Sequence, residues 1–378
     1  MDLVQPSVER DTPKPRAIVF GGGIGMFPPL LQRFKDEFDI VSVIGGELPT
    51  IYRWMFLLRS FRLPKDAWYR EWRRYVEHTP FSFRAVTKKL DRELAKYEGK
   101  YDCILFFGAM SAPGYHLNKK MFVFTDSCRW LSSRNQYDES CHFRSEHEEK
   151  EWLQLEGNVY RSASRVFVGS DFVKNAIVDA YSVPSKRVIV AGLGAGIGFG
   201  EHYEKHFDGR TILYIGKGDF EKKGGLILLK AFEQVRRALP DTVLHVVGQE
   251  RLPVLEGVIS HGFVRDRDRI VALMRSAHVF TLPSLVDRNP ITILEAMATA
   301  TPCVASDYGA MPEIVGDAGL IAPCGDHEKL AESLIKLLTN TPLATRLGVN
   351  GRQRFEKKYN WDSIWKTMRS ELLAGLHE

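Results

Sequence analysis

Six short apolar runs dominate the second half of the chain: Thr211–Ile215, Thr242–Val247, Val258–His261, Val279–Leu282, Cys303–Ser306 and Gly319–Ala322. They alternate with stretches of helical periodicity, as where Leu228, Phe232, Val235 and Leu239 fall at i, i+4, i+7 and i+11. Strands that are apolar throughout need cover on both faces, and strands joined through helices run parallel. This half is therefore expected to form a doubly wound α/β domain. Such a sheet binds its ligand beyond the carboxyl ends of its strands.

The unusual residues fall at those ends. Gly216-Lys217-Gly218-Asp219 follows the first strand, and Glu221-Lys222-Lys223-Gly224-Gly225 precedes its helix. Gly248-Gln249-Glu250 follows the second strand, Gly262-Phe263-Val264 the third, Asp287 the fourth and Asp307-Tyr308-Gly309 the fifth. Two lysines at a helix start, with glycines that let the backbone approach, suit a diphosphate. From Pro283 to Pro312 the order reads strand end, loop, helix, strand, loop. Asn289 is placed to cap a helix whose first residue is Pro290, where the missing N–H costs nothing. That helix is expected to stop before Thr301-Pro302. Helix N-termini favour anions, and the carboxylates of Asp287 and Glu295 can accept from sugar or ribose hydroxyls. Thr292, Glu295 and Thr299 also have the spacing of a solvated stripe on an ordinary amphipathic helix, so the sequence alone leaves both readings open.

In the first half, the strand Arg16–Phe20 runs into Gly21-Gly22-Gly23-Ile24-Gly25, with a helix expected around Phe27–Phe38 and a strand at Asp39–Ile44. This order suits a phosphate-binding turn or a plain tight turn. Further strands are expected at Tyr101–Phe107, Met121–Phe124, Arg165–Val168 and Arg187–Ala191, and helices at Glu148–Ser162 and Asp171–Tyr181. Ser132–His147, polar and of both signs, reads as a mobile loop. Thr50–Tyr97 reads as largely helical and interleaves Trp54, Trp68, Trp72 and other aromatics with many arginines. That mixture suits a membrane interface or an anionic partner, or equally a pair of core-packed helices with snorkelling arginines. Nucleic acid ranks low, because no recognition motif accompanies the charge.

The glycine-rich run from Gly192 to Gly198 and the polar stretch after it mark a boundary. We expect a leader without structure over residues 1–15, a first domain over 16–200, a second over 208–358 and a closing amphipathic helix within 359–378. The length of 378 residues is enough for two cores, and 44% hydrophobic with 26% charged residues is ordinary for a soluble protein. No run spans a bilayer and the opening residues have no signal-peptide pattern. Five scattered cysteines without a C-x-x-C pair argue for a reducing, cytoplasmic compartment and against zinc or disulfides. A net charge of +5 has meaning only where it is clustered.

The second half resembles the retaining glycosyltransferases of family 4. The resemblance rests on LYIGKGDFEKKGGLILLKAF, LHVVG, HGFV, PSLVDRNPITILEAMATATPCVASDYGAMPEIV and AGLIAPCGD, and less closely on the first glycine turn and SRVFVGSDFVKNAIVDAYSVPSKRVIVAGLGAGI. It implies the GT-B fold, two Rossmann-like domains facing across a cleft, with the last helix packing back on the first domain. It implies that Lys217 and Lys223 hold the donor diphosphate, with Lys222 as substitute, and that Gly22 and Gly23 approach it. Glu295 matches the second acid of the family's E-x7-E pair and would bind ribose. Asp287 stands in the place of the first acid, which contacts the donor sugar. Gly216, Gly248, Val264, Asn289, Pro290 and Ile291 would complete the nucleotide-sugar site. Arg288-Asn289-Pro290 replaces the family's glycine loop, and Thr125-Asp126 stands where many members have His-Asp, so no histidine is given a catalytic role.

The implied reaction moves a sugar with retention from a nucleotide-diphosphate sugar to a hydroxyl of a glycan or lipid-linked acceptor. A UDP-sugar ranks ahead of a GDP- or ADP-sugar, and no metal or cofactor is expected. The departing phosphate oxygen would deprotonate the acceptor. The expected place is the cytoplasm, with an anionic inner membrane face reached through residues 52–89. A sugar-nucleotide epimerase of the same fold and a catalytically silent GT-B partner protein are the alternatives.

Overall fold

A computed structural model of the chain describes residues 13–21, 28–61, 64–112, 119–137, 141–195, 205–216, 218–250, 252–288 and 290–378. The first half runs β1 (Arg16–Phe20), α1 (Pro28–Glu37), β2 (Asp39–Ile44), α2 (Thr50–Arg59), α3 (Lys65–Glu77), α4 (Pro80–Ala95), β3 (Cys103–Phe107), β4 (Lys120–Phe124), α5 (Arg129–Ser133), α6 (Glu146–Ser162), β5 (Arg165–Val168), α7 (Asp171–Tyr181) and β6 (Val188–Val190). Its strands form one parallel sheet in the order β2-β1-β3-β4-β5-β6. Alternation along the strands divides the core between the two faces: Ile18, Phe20, Ile104 and Phe106 on one, Ala17, Val19, Cys103 and Leu105 on the other.

The second half runs β7 (Thr211–Ile215), α8 (Gly225–Ala238), β8 (Val243–Val247), β9 (Val258–Ser260), α9 (Arg267–Ser276), β10 (Val279–Leu282), α10 (Ile291–Ala298), β11 (Cys303–Ser306), α11 (Met311–Val315), β12 (Gly319–Ala322), α12 (His327–Thr339), α13 (Thr341–Arg354) and α14 (Trp361–His377). Its parallel sheet has the order β12-β11-β10-β7-β8-β9. The order therefore reverses between β7 and β10, and in the first sheet between β1 and β3. Those two points are where sheets of this kind open a crevice for ligand.

Helix α14 leaves the second domain and docks on the first. Ile364, Met368 and Leu372, one helical face, join Phe34, Phe38, Phe122 and Phe124 in one buried cluster. Trp365 meets Phe34 edge to face, with ring centroids 5.2 Å apart. The buried guanidinium of Arg165 bonds Glu371 at 2.8 Å and Glu378 at 2.5 Å, fixing the helix end over β5.

The structure refines two sequence expectations in this half. Residues 50–97 hold three helices, and their aromatics divide: Phe56 is buried and stacks on Tyr75, Trp72 is half-buried and donates to Arg53 O, while Trp54 is exposed. Ser132–His147 is irregular only between α5 and α6, and its residues 138–140 lie outside the described residues. It contains the end of α5 and the start of α6, and it is tied down by Arg74 donating to His142 O and by the Arg144–Glu71 ion pair at 3.1 Å. Those partners are distant in sequence, so local polarity misrepresents the segment.

Candidate active site

The loop after β7 and the loop after β10 are stapled because their strands are neighbours. Lys222 O accepts from Leu285 N at 2.8 Å, Val286 N at 3.2 Å and Ser284 Oγ at 3.2 Å. Gly224 caps α8 in the left-handed region, at φ +76, and a Cβ there would lie 1.9 Å from Pro283 O. Only glycine lets the two loops approach this closely. The result brings Lys223 Nζ to 2.6 Å from Asp287 Oδ2 and 3.4 Å from Val286 O, over the point where the strand order reverses. The sequence reading gave the two residues separate tasks; the structure joins them.

Beside them, the strand ends are stitched together. Gly216 N donates to Val247 O at 3.0 Å and Gly248 N to Gly262 O at 2.8 Å. Val264 is half-buried against the second-domain core. Glu295 is 3% exposed, and Arg267 Nη1, from the first turn of α9, lies 3.7 Å from its Oε1. Thr299 is also buried and Thr292 half-buried, so the solvated-stripe reading of this helix is wrong. The capping expectation also needs correction. Helix α10 begins at Ile291, one residue later than expected, because Pro290 is extended at ψ 103 and serves as N-cap without a side-chain bond. Ile291 itself is half-buried. Lys217, Gly22, Gly23 and Asn289 lie outside the described residues.

On the first-domain side, Gly21 ends β1 at φ +112, and a Cβ there would lie 2.3 Å from Phe107 O. The ends of β1, β3, β4 and β5 open into a cavity of about 870 Å³, whose lining includes Phe83, Phe107, Thr125, Asp126 and Trp152. Arg288 reaches into it from the second domain. Nearby, Asn135 Nδ2 donates to Leu285 O at 3.2 Å and to Tyr308 Oη at 2.5 Å, so the two sets of strand ends face one another. Glu313 of α11 caps α7 by accepting from Asp171 N at 3.0 Å and Phe172 N at 3.2 Å.

Sequence reasoning missed the polar centre behind this cavity. Glu156 is buried and accepts from Arg129 N at 3.1 Å, Trp152 Nε1 at 3.1 Å, Tyr160 Oη at 3.1 Å and Tyr181 Oη. Burial pushes its carboxyl up, while these donors hold it down. A signal was present in the i, i+4 and i+8 spacing of Trp152, Glu156 and Tyr160, an acid inside an aromatic face. Among the described residues no group of three or more His, Cys, Asp or Glu is placed to hold a metal, and no helix is long and apolar enough to cross a membrane.

Two Rossmann-like domains whose strand ends share a cleft, with a last helix crossing back, are the GT-B architecture. Residues 209–340 match the family model described as glycosyl transferases group 1. The chain is 34% identical over 167 residues to a phosphatidyl-myo-inositol mannosyltransferase of Mycobacterium leprae, covering 41% of this chain and 44% of that protein. It is 28% identical over 226 residues to an MMP alpha-(1->4)-mannosyltransferase of Mycolicibacterium hassiacum, covering 56% and 54%. The chain thus spans about half the length of these relatives. The fold is similar over nearly the whole chain to sucrose-phosphate synthase from Thermosynechococcus elongatus, with TM-score 0.65, 17% identity and coverage of 96% of this chain and 99% of that one. It is also similar to Anabaena HepE in complex with UDP and glucose, with TM-score 0.62, 15% identity and coverage of 94% and 99%.

Proposed function

We propose that the protein is a retaining glycosyltransferase that moves a sugar from a nucleotide-diphosphate sugar to a hydroxyl of a glycan or lipid-linked acceptor. The observation that carries this reading is the Lys223–Asp287 pair over the strand switch, with the buried Glu295 on the adjoining helix. The names of the relatives, a phosphatidyl-myo-inositol mannosyltransferase and an MMP alpha-(1->4)-mannosyltransferase, support the reaction class.

In this reading Glu295 accepts from the ribose hydroxyls. Lys223 stabilises the diphosphate charge that grows as the anomeric carbon–oxygen bond breaks, and it acts where that charge develops. Asp287 orients Lys223 and faces the sugar. Lys217, Gly22, Gly23, Gly216, Gly248 and Asn289 complete the donor pocket. The departing phosphate oxygen takes the acceptor proton, so no protein base is required.

The acceptor side extends to a membrane surface. Ile51, Trp54, Met55 and Leu58 form one stripe of α2 and are exposed, Ile51 by 74% and Leu58 by 78%, with Phe61 and Tyr69 beside them. Arg53, Arg59 and Arg70 flank the stripe and are also exposed. Apolar side chains at i, i+3, i+4 and i+7 with arginines alongside suit an interfacial helix on anionic lipid.

Purified protein incubated with UDP-, GDP- and ADP-sugars tests the proposal. The donor raises the melting temperature by mass action and is hydrolysed slowly without acceptor. Stabilisation by a nucleoside diphosphate with no turnover of any donor would leave a nucleotide-binding GT-B protein instead.

A further inference from the structure

Arg129 opens onto the first-domain cavity and is only 6% exposed, yet its Nε and Nη1 have no hydrogen-bond partner. The rings of Phe143 and Trp152 lie 4.9 Å and 5.8 Å from the guanidinium carbon, and neither offers an oxygen to those N–H groups. Glu156 behind it and Cys141 beside it favour its charge, but neither bonds Nε or Nη1. Glu156 bonds the backbone nitrogen of Arg129, and its remaining capacity goes to Trp152, Tyr160 and Tyr181.

A second guanidinium enters the same cavity from across the cleft. Arg288 has Nε and Nη2 buried without partners, and it lies close enough to Cys128, the neighbour of Arg129, to act electrostatically on that thiol. An ionised guanidinium with unmade bonds away from water is costly. Two of them, borne by different domains and lining the same cavity, suit an anion. The four unmet nitrogens outnumber the two oxygens of a carboxylate, whereas a phosphate offers three or more acceptors and matches the guanidinium fork. The wall on either side is apolar, with Phe83, Val86 and Trp152.

We propose that Arg129 and Arg288 bind a phosphate group of the acceptor, and that the acceptor is a phosphate ester whose apolar part lies against Phe83, Val86 and Trp152. This rests on the glycosyltransferase reading only in calling the occupant an acceptor. Because the two arginines come from different domains, the phosphate also draws the cleft together.

Calorimetric titration of the full chain tests this, with nucleoside diphosphate present to fill the donor site. The probes are inorganic phosphate, glycerol phosphate and a short-chain phosphatidate below its micellar concentration. Wild-type protein binds them. Arg129→Gln and Arg288→Gln each raise the dissociation constants on the order of tenfold or more, and Arg129→Lys falls between. Tighter binding of the phosphatidate than of glycerol phosphate identifies a lipid phosphate, and equal binding a water-soluble ester. No binding of any probe to the wild type, or unchanged affinity in both glutamine variants, overturns the proposal. Should Arg129→Gln not fold, the half-buried Arg288 carries the test. Nucleotide binding is read separately through Glu295→Ala. Its failure with arginine-dependent phosphate binding intact would remove the donor reading alone.

Discussion

Lys223 Nζ lies 2.6 Å from Asp287 Oδ2, and the two residues come from loops that follow neighbouring strands far apart in sequence. In the proposed donor site, a diphosphate arriving at this lysine would meet a cation that already has an anion beside it. The pair orients the lysine and also weakens its pull on the incoming charge.

Separating these effects gives the first prediction. Lys223→Ala lowers kcat/KM by about 2–4 kcal/mol, the loss of one charge contact in a desolvated site. Asp287→Asn also lowers transfer, but it leaves Lys223 unshared, so free nucleoside diphosphate binds as tightly as in the wild type or more tightly. Titration of both variants with nucleoside diphosphate decides the matter. Weaker nucleotide binding in Asp287→Asn would mean that Asp287 does not compete for the lysine.

Glu295 is assigned to ribose, so Glu295→Ala weakens donor and free nucleoside diphosphate alike. A hydrogen bond to a charged group is worth about 1.5–3 kcal/mol, roughly tenfold or more in affinity. Arg267, 3.7 Å from Glu295, is largely exposed, and Arg267→Gln has a smaller effect. Equal losses in the two variants would make the ion pair, rather than a bond to ribose, the function of Glu295.

Gly224→Ala tests the staple between the two loops. Its left-handed backbone and the nearness of Pro283 O leave no room for a methyl group. The substitution costs about 2 kcal/mol or more and displaces Lys223. Thermal unfolding and donor turnover both fall. A variant of full stability and full activity would show that the loop tolerates the shift.

Lys205 donates to Met274 O at 2.8 Å, Arg275 O at 2.8 Å and Thr301 Oγ1 at 2.7 Å, and burial pushes its ammonium from 10.5 down to about 7. Above the unfolded value both states are neutral and the full stability is present. As pH falls from about 10.5 towards about 7, the unfolded chain gains a proton that the folded chain lacks, and stability declines. Between pH 7 and 8.5 the denaturation midpoint of the wild type therefore rises with pH, and Lys205→Met removes that slope. Parallel curves for the two proteins would show that the ammonium stays charged when buried.

The exposed stripe of α2 predicts vesicle binding. Anionic vesicles sediment with the protein, more weakly in high salt, and neutral ones do so less. Trp54→Ser with Leu58→Ser abolishes binding, since each removes a side chain worth about 1.5–3 kcal/mol of apolar burial. Arg73 and Arg74 matter less, because one pairs with Glu77 and the other bonds His142 O. Retention of binding in the double variant would move the membrane contact elsewhere.

The strands of the second domain were legible almost to the residue, because a run apolar on both faces admits few alternatives. The final helix was legible for its amphipathic spacing. What was not legible depends on neighbours that are not consecutive. β10 lies beside β7, so Lys223 meets Asp287, and no local pattern announces that contact. The inward turn of Glu295 and Thr299 was ambiguous for a related reason: their spacing defines a face but not its direction. Arg129 belongs to a five-residue helix too short for periodicity to mark it. Its buried setting arises only when α6 and Phe143 close around it.

The chain passes between the domains twice, near Ala195 and again at Trp361, and the indole N–H of Trp361 bonds Ala195 O at 2.9 Å where the passes meet. The first pass is therefore not the sole link between the domains. The second polypeptide piece already grips the first through Ile364, Met368, Leu372 and the carboxylates on Arg165. A protein severed between 195 and 205 has the connectivity of a noncovalent heterodimer, and its two fragments, produced as separate chains, carry the surfaces needed to find each other.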